Sequence, residues 1–302
     1  MKKNALFGLM SAAMLLATSC TNEIEGIKAG LPATVSFQVA TPDISTRVYS
    51  DGKTATNLQY AVYDEDGTYL PKFTVTDADI DITATVNLQL TTGNTYSVIF
   101  WASAEEEKTP YTLDFATQTM TVDYADVVSN NENYDAFYAC YTFTVVEKEQ
   151  VEDVELKRPF AQLNIGTSDY AASAEAGYVP TKSYVKVPVF NTLNLATGAV
   201  TNQVYAEFDF AAINRTETFP LAGYEYLAMN YLLIPVDKQT VEVEFQYADD
   251  ANNTKTEKVG SVPVQRNYRT NLYGNILTSE VKLNIEIKPG FNEPAHEKDL
   301  NE

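Results

Sequence analysis

Apolar and polar residues alternate with a period of two through much of this chain, and this feature restricts its fold most. In ITATVNLQL, residues 82–90, the apolar side chains share one face and the polar ones the other. VEVEFQY (241–247) and VKLNIEI (281–287) have the same pattern. A period of two is the repeat of a β-strand with one buried and one solvated face. Strands of this kind pack as antiparallel sandwiches, so we predict an all-β protein.

Turn sequences separate the alternating runs, for example DEDG at 64–67 and ATGA at 196–199. The stretch 168–177 predicts a short helical insertion. The segment 145–157 is rich in charge and a new β pattern begins after it, so we place a domain boundary near 151–157. The predicted domains are an N-terminal sandwich of residues 48–153 and a C-terminal sandwich of residues 154–302 with a short charged tail, both of ordinary domain size.

The first twenty residues form a targeting signal. Two lysines precede an apolar run at 5–17 that is too short to span a bilayer, and Cys20 follows directly after Thr18 and Ser19. This order predicts a lipoprotein signal peptide of residues 1–19, with lipid attached to Cys20. The alternative is an ordinary secretory signal with an incidental cysteine. Since Cys140 is the only other cysteine, we expect no intrachain disulfide, and we expect Cys140 to pack as a small hydrophobe.

Charge and histidine content argue against several classes of function. The formal net charge of -20 makes the chain a poor candidate for nucleic-acid binding, which needs clustered lysines and arginines. The single histidine, His296, cannot build a His-based triad or a multi-His zinc site. We therefore predict no enzyme activity, no metal and no cofactor. The 41 acidic residues leave a carboxylate-dependent hydrolase as a weaker alternative.

Three other features have competing interpretations. The alternating residues Asp77, Asp79 and Asp81 are either calcium ligands or the solvated start of the strand that follows. A calcium loop of the EF-hand type would need glycine at 82 and glutamate at 88, where isoleucine and leucine stand, which favours the second. Trp101 is either a sugar platform or a buried strand residue, and its apolar neighbours favour burial. The tyrosine-rich stretch 222–235 is favoured as core for the same reason.

A lone arginine stands in a sequence that predicts an exposed connection. Arg47, the first arginine in the chain, lies within TPDISTRVYSDG, residues 41–52. The preceding stretch ATVSFQVA alternates, with Val35, Phe37 and Val39 on one face. Burying these three side chains is worth about 5–8 kcal/mol before entropic costs. Loss of that strand would expose apolar surface and unpaired backbone groups.

Several motifs together resemble the fimbrillin-like lipoproteins of Bacteroidetes, the type V pilin superfamily. They cover most of the chain and are the signal ending in SC, TRVYSDG, LQYAVYDEDG, YSVIFWAS, YDAFYACYTF, LKRPFAQLNIGTSD and VPVQRNYRTNLYGNILTS. The resemblance implies two tandem transthyretin-like β-sandwiches. It also implies a lipidated precursor at the outer membrane, exposed on the cell surface.

The resemblance further implies how the subunit is processed. An arginine-specific protease would cut after Arg47 and release residues 20–47, which carry the lipid and the strand containing Val35, Phe37 and Val39. Another fimbrial subunit would then supply a replacement strand. The alternative is that Arg47 is a simple surface residue and the protein stays an anchored monomer.

The leading functional prediction is a fimbrial or fimbria-like structural and adhesive subunit, with other fimbrial subunits and a surface glycan or protein as partners. The runner-up is a surface glycan-binding lipoprotein of a polysaccharide uptake system. Residues 281–287 are either a strand donated to another subunit or the last strand of the chain's own C-terminal sandwich. We favour the second, which predicts a tip or non-polymerising subunit.

Overall fold

The computed structural model describes residues 30–42, 51–278 and 282–288. Most of these residues lie in strands, which confirms the predicted all-β class. Residues 170–175 form the one α-helix of the described ranges, within the predicted helical insertion. In chain order the elements are β1 Pro32–Ala40, β2 Asn57–Asp64, β3 Val75–Asp79, β4 Thr83–Thr91, β5 Thr95–Ser103, β6 Tyr111–Asp114, β7 Thr119–Val122, β8 Ala136–Thr144, β9 Glu149–Glu155, β10 Phe160–Thr167, α1 Tyr170–Glu175, β11 Lys182–Asn194, β12 Val200–Ala212, β13 Glu225–Leu233, β14 Gln239–Ala248, β15 Thr254–Val264, β16 Arg269–Asn275 and β17 Lys282–Lys288.

The first part of the chain builds one sandwich. Sheet I has the strand order β4-β1-β9, and sheet II has the order β3-β2-β5-β8. A cluster of buried side chains from both sheets fills the space between them, with Val35, Phe37, Leu58, Phe100 and Phe137 fully buried. The alternation predicted for β4 is confirmed, since Val86, Leu88 and Leu90 are buried and the residues between them are exposed.

The second part builds another sandwich. Sheet III has the order β13-β10-β16-β17, and sheet IV has the order β15-β14-β11-β7-β6, with β12 also paired to β11. In β14 the apolar residues Val241, Val243, Phe245 and Tyr247 are all buried, as their alternation predicts. Residues 226–233 are buried on both faces, so the prediction that the tyrosines of this stretch belong to the core is confirmed for Tyr226 and Tyr231.

A hairpin connects the two sandwiches. Strands β6 and β7 lie between β5 and β8 in sequence, yet β7 pairs with β11 of sheet IV. Trp101 on β5 packs against Tyr111 with ring centroids 5.6 Å apart, and Tyr111 stacks on Phe160 at 5.1 Å. This contact buries the second face of β5, which explains the continuous apolar run VIFW. The domain bounds 48–153 and 154–302 stay a prediction, and in space the hairpin at 111–122 joins the sheet of the later strands.

Strand β17 pairs antiparallel with β16, so the run predicted at 281–287 continues the chain's own sheet III. One detail of the predicted alternation is wrong, because Glu286 is buried rather than solvated. Its carboxylate accepts a hydrogen bond from Asn271 Nδ2 at 2.9 Å and lies 3.1 Å from Lys288 Nζ. These contacts satisfy the charge locally, which allows an acidic side chain at a buried strand position.

Asp169 holds the connection that leads from β16 to β17. Its carboxylate accepts hydrogen bonds from the backbone N–H groups of Ile276, Leu277 and Thr278 at 2.9–3.3 Å, and from the Thr167 and Thr278 hydroxyls. Burial acts to raise the pKa of Asp169, but the hydrogen bonds to Thr167, Thr278 and Leu277 outweigh it and lower the pKa.

We expect Asp169→Asn to destabilise the protein by about 2–3 kcal/mol at neutral pH, because an amide cannot accept all these bonds. A depressed folded-state pKa contributes stability that is fully present above the unfolded-state value of about 3.9 and is lost as the pH falls through the folded-state pKa. The stability gap between wild type and variant should therefore narrow in acid. Urea unfolding at a series of pH values measures the gap, and Asp79→Asn on the exposed face of β3 is the control. A gap that is constant with pH would contradict the role of the ionised carboxylate.

Candidate functional site: the first strand and its groove

Strand β1 lies in the middle of sheet I. It pairs antiparallel with β4 from Pro32↔Thr91 to Ala40↔Thr83, and parallel with β9 from Thr34↔Glu149 to Ala40↔Glu155. Beyond the ladders, Thr34 N donates to Lys148 O and Leu156 N donates to Ala40 O, both at 2.8 Å. Removal of β1 would therefore leave both neighbouring strands with unpaired backbone groups along a groove one strand wide.

The inward face of β1 is apolar and completely covered. Ala33, Val35, Phe37 and Val39 are each exposed by 2% or less. The Phe37 ring is the largest of the four, and its centroid lies 5.5 Å from that of Phe100 and 5.1 Å from that of Phe143. Because β5 and β8 supply these rings, the floor of the groove belongs to sheet II. The strand is thus a separable piece of the first core, held by burial on one face and by backbone pairing on both edges.

The outward face of β1 is polar and pairs with β4. Ser36 Oγ donates to Asn87 Oδ1 at 2.6 Å, Thr85 Oγ1 donates to Gln38 Oε1 at 3.1 Å, and Gln89 Nε2 donates to Thr34 Oγ1 at 2.9 Å. The three pairs are directly opposed in the register of the two strands. We call them the polar ladder.

Both ends of β1 are fixed to sheet I or its loops. Leu31 N donates to Thr92 Oγ1 at 3.0 Å, and Thr41 N donates to Ile82 O at 2.8 Å. After residues 43–50 the described chain resumes at Asp51, and Gly52 has a φ of +76°. A Cβ on Gly52 would lie 3.3 Å from the Phe137 ring, so a side chain there would be strained in both backbone and space.

A buried ion pair between Asp135 and Arg158 lies next to Phe137, and the sequence analysis did not predict it. Arg158 Nε and Nη2 donate to the two carboxylate oxygens of Asp135, each at 2.7 Å, and both side chains are at most 1% exposed. The Arg158 guanidinium also lies 4.4 Å above the Phe137 ring. Asp135 precedes β8 and Arg158 precedes β10, so the pair ties the two sandwiches together. An arginine directly before Pro159 at the start of a buried strand was the available signal.

The residues predicted for processing fall into two groups. Val35, Phe37 and Val39 lie together on the buried face of β1, as described above. Cys20 and Arg47 lie outside the described residues, as do the signal peptide, His296 and the charged tail. Their lipidation and cleavage stay predictions.

The structure changes or resolves three other expectations. Cys140 is exposed, so the prediction that it packs as a small hydrophobe is wrong; it lies on the face of β8 that carries Tyr138, next to a shallow cleft shared with Asp153 and Gly198. Trp101 is fully buried, which excludes it as a sugar platform. No group of three or more His, Cys, Asp or Glu residues suited to a metal ion occurs within the described ranges, which include Asp77, Asp79 and Asp81.

The described part of the chain also has no helix of sufficient length and apolar character to cross a membrane.

A sequence model of the family of unknown function DUF6562 matches residues 28–301. The chain belongs to this family. Comparison with curated proteins finds no match.

Solved structures are similar to the chain at the level of fold. One is a candidate adhesin from Bacteroides thetaiotaomicron, with a TM-score of 0.51, 10% identity, and coverage of 86% of this chain and 97% of that one. The fimbrial anchor protein Mfa2 from Porphyromonas gingivalis has a TM-score of 0.47, 9% identity, and coverage of 80% and 91%. The tip fimbrial protein Mfa3 of the same organism, with a C-terminal truncation, has a TM-score of 0.47, 11% identity, and coverage of 85% and 99%.

The similarity to the candidate adhesin is a similarity of fold, and it agrees with the predicted antiparallel β-sandwich.

Proposed function

We propose that this protein is a fimbria-like surface subunit, structural and adhesive in role, whose first strand is replaceable. The observation that carries the proposal is the position of β1, which lies between β4 and β9 with Val35, Phe37 and Val39 buried. Directly after β1 comes the segment 43–50 that contains Arg47. A cut there would leave β1 attached to the rest of the protein by non-covalent contacts alone.

The chemistry of replacement follows from the two kinds of contact that β1 makes. Release of the strand exposes four apolar pockets and two rows of backbone donors and acceptors, which is unfavourable in water. An extended segment of another subunit satisfies both, a mode of binding known as β-augmentation. The precursor, with β1 in place, is self-capped and does not assemble.

The membrane attachment and the position in a fibre are parts of the same proposal. Lipid on Cys20 would hold the precursor at the outer membrane, and cleavage after Arg47 would free residues 48–302 from that anchor. Strand β17 is engaged with β16 in the chain's own sheet. Because β17 is the last strand of the described residues and is already paired, it is not free to be donated, which favours a fibre tip or a subunit that does not polymerise.

Mass measurement and N-terminal sequencing of protein sheared from cells test the proposal. The wild-type protein should begin at Val48. Arg47→Ala should stay in the outer-membrane fraction with an N-terminus at acylated Cys20, and Cys20→Ala should carry no fatty acid. Arg215→Ala is the matched control, because Arg215 lies in another exposed connection and should change neither result. Sheared wild-type protein that begins at Cys20 would contradict the cleavage.

A further inference from the structure

The apolar pockets of the groove give little information about which strand belongs in it. Burial is non-directional and scales with apolar area. Strands β14 and β17 of this same chain also alternate between apolar and polar residues. A groove that recognised only this alternation would accept many strands, including ones from the second sandwich of the same chain. Specificity is a difference of affinities, so it has to come from contacts that alternating strands do not all share.

The outward side of the groove offers such contacts along β4. The polar ladder joins Thr34, Ser36 and Gln38 to side chains on β4 that are exposed between buried neighbours. Its partners are hydroxyl and amide groups without charge. Each position therefore favours a hydroxyl or amide side chain that can donate or accept at about 3 Å, and it gives nothing to an apolar side chain.

The other edge of the groove has a different character. On β9, Glu149 is opposite Thr34 and Asp153 is opposite Gln38, and both carboxylates are on the exposed face. Like charges directly opposed across strands are destabilising. An incoming strand with an acidic residue at either position would meet this repulsion, whereas a hydroxyl or amide would not.

We propose that the polar ladder on β4 and the acidic edge of β9 together select the strand that occupies the groove. The selected strand is an extended segment of a fimbrial subunit with hydroxyl or amide side chains at the positions of Thr34, Ser36 and Gln38, and without acids at the first and last. The inference rests on the proposed replacement of β1.

The test uses the full chain with a site-specific protease sequence in place of residues 43–50, cut after folding. Fluorescent peptides of residues 31–41 then compete for the groove. One has the natural sequence, one has alanine at 34, 36 and 38, and one has glutamate at 34 and 38. We expect the alanine peptide to bind about tenfold more weakly than the natural one. The glutamate peptide should be weaker still, and part of its loss should disappear at about 1 M salt, where charges are screened.

A groove variant supplies the matched control. Thr85→Ala, Asn87→Ala and Gln89→Ala combined remove the β4 side of the ladder, so the natural and alanine peptides should then bind equally. Equal binding of the natural, alanine and glutamate peptides to the unchanged groove would overturn the inference. If a fourth peptide with Phe37→Ala failed to bind in that case, replacement of β1 would still stand. If no peptide entered the groove, the proposed function would fail, and the selection with it.

A double-mutant cycle in the uncut chain tests the ladder independently of strand exchange. Ser36→Ala and Asn87→Ala, singly and together, report the coupling of the shortest pair. We expect the unfolding equilibrium constant of the double variant to be about two- to fivefold smaller than two independent single effects would give, since cross-strand pairs couple. Additive effects would show that this pair does not contribute to the fit of β1.

Discussion

Phe37→Ala is expected to lower the free energy of unfolding of the first sandwich by about 3–5 kcal/mol, because it removes a fully buried ring and leaves a cavity beside Phe100 and Phe143. The change also weakens the hold on β1 more than any other single truncation on that strand, since the other inward side chains are smaller. Urea unfolding followed by the fluorescence of Trp101, the chain's one tryptophan, measures the effect. After cleavage between β1 and Asp51, the variant should lose its first strand on gel filtration while the wild type keeps it.

Two controls make this result specific. Ser36→Ala lies on the same strand but on the outward face, and it should cost no more than about 1 kcal/mol. Phe245→Ala removes a buried ring from the second sandwich, so it should destabilise the protein yet leave β1 bound after the cut. Retention of β1 by the Phe37→Ala variant would show that the Phe37 ring is not needed to hold the strand.

The second large effect is expected at the ion pair between Asp135 and Arg158. Removing one partner leaves the opposite charge buried without its matching group, and such changes cost about 3–5 kcal/mol. We therefore expect Asp135→Ala and Arg158→Met each to destabilise the protein strongly. Because the pair joins the segment before β8 to the segment before β10, the contact between the two sandwiches should also loosen. Unfolding in urea and hydrogen exchange of β8 and β10 amides measure the two consequences.

The double variant separates a paired charge from simple packing. Asp135→Ala with Arg158→Met should cost less than the sum of the single changes, by about 0.5–3 kcal/mol. Arg215→Met makes the same substitution in an exposed ion pair, where the Arg215 side chain is 49% exposed and that of Glu225 is 41% exposed. Exposed pairs are worth about 0–1 kcal/mol, so we expect little change in the free energy of unfolding. Additive losses at positions 135 and 158 would show that the pair has no mutual stabilisation.

The sequence predicted those parts of the fold that depend on local periodicity. In strand β4 the burial alternates as the sequence does, because successive side chains of a strand point to opposite faces of the sheet. The burial of Trp101 and of 226–233 followed from continuous apolar runs, which need two covered faces. The inward set on β1, with Val35, Phe37 and Val39, followed from the same period of two.

Predictions that depended on which face of a strand is covered were wrong at Cys140 and Glu286. Cys140 lies in a stretch of aromatic and apolar residues, yet β8 turns it outward, because its neighbours in sequence already fill the inward positions. Glu286 sits where alternation predicts solvent, but the fold covers this one position and places Asn271 and Lys288 beside it as partners. Period two separates the faces of a strand without showing which of them is covered.

By itself, the sequence determined the all-β class, the strand preceding Arg47 and its apolar face, because these depend on neighbours one to eight residues away. Only the tertiary structure decided which strands are adjacent: β1 between β4 and β9, the hairpin of β6 and β7 against β11, and Asp135 against Arg158. Those contacts join residues far apart in the chain. Their energies come from complementary surfaces and matched charges in three dimensions. A one-dimensional pattern of apolar and polar residues does not contain this information.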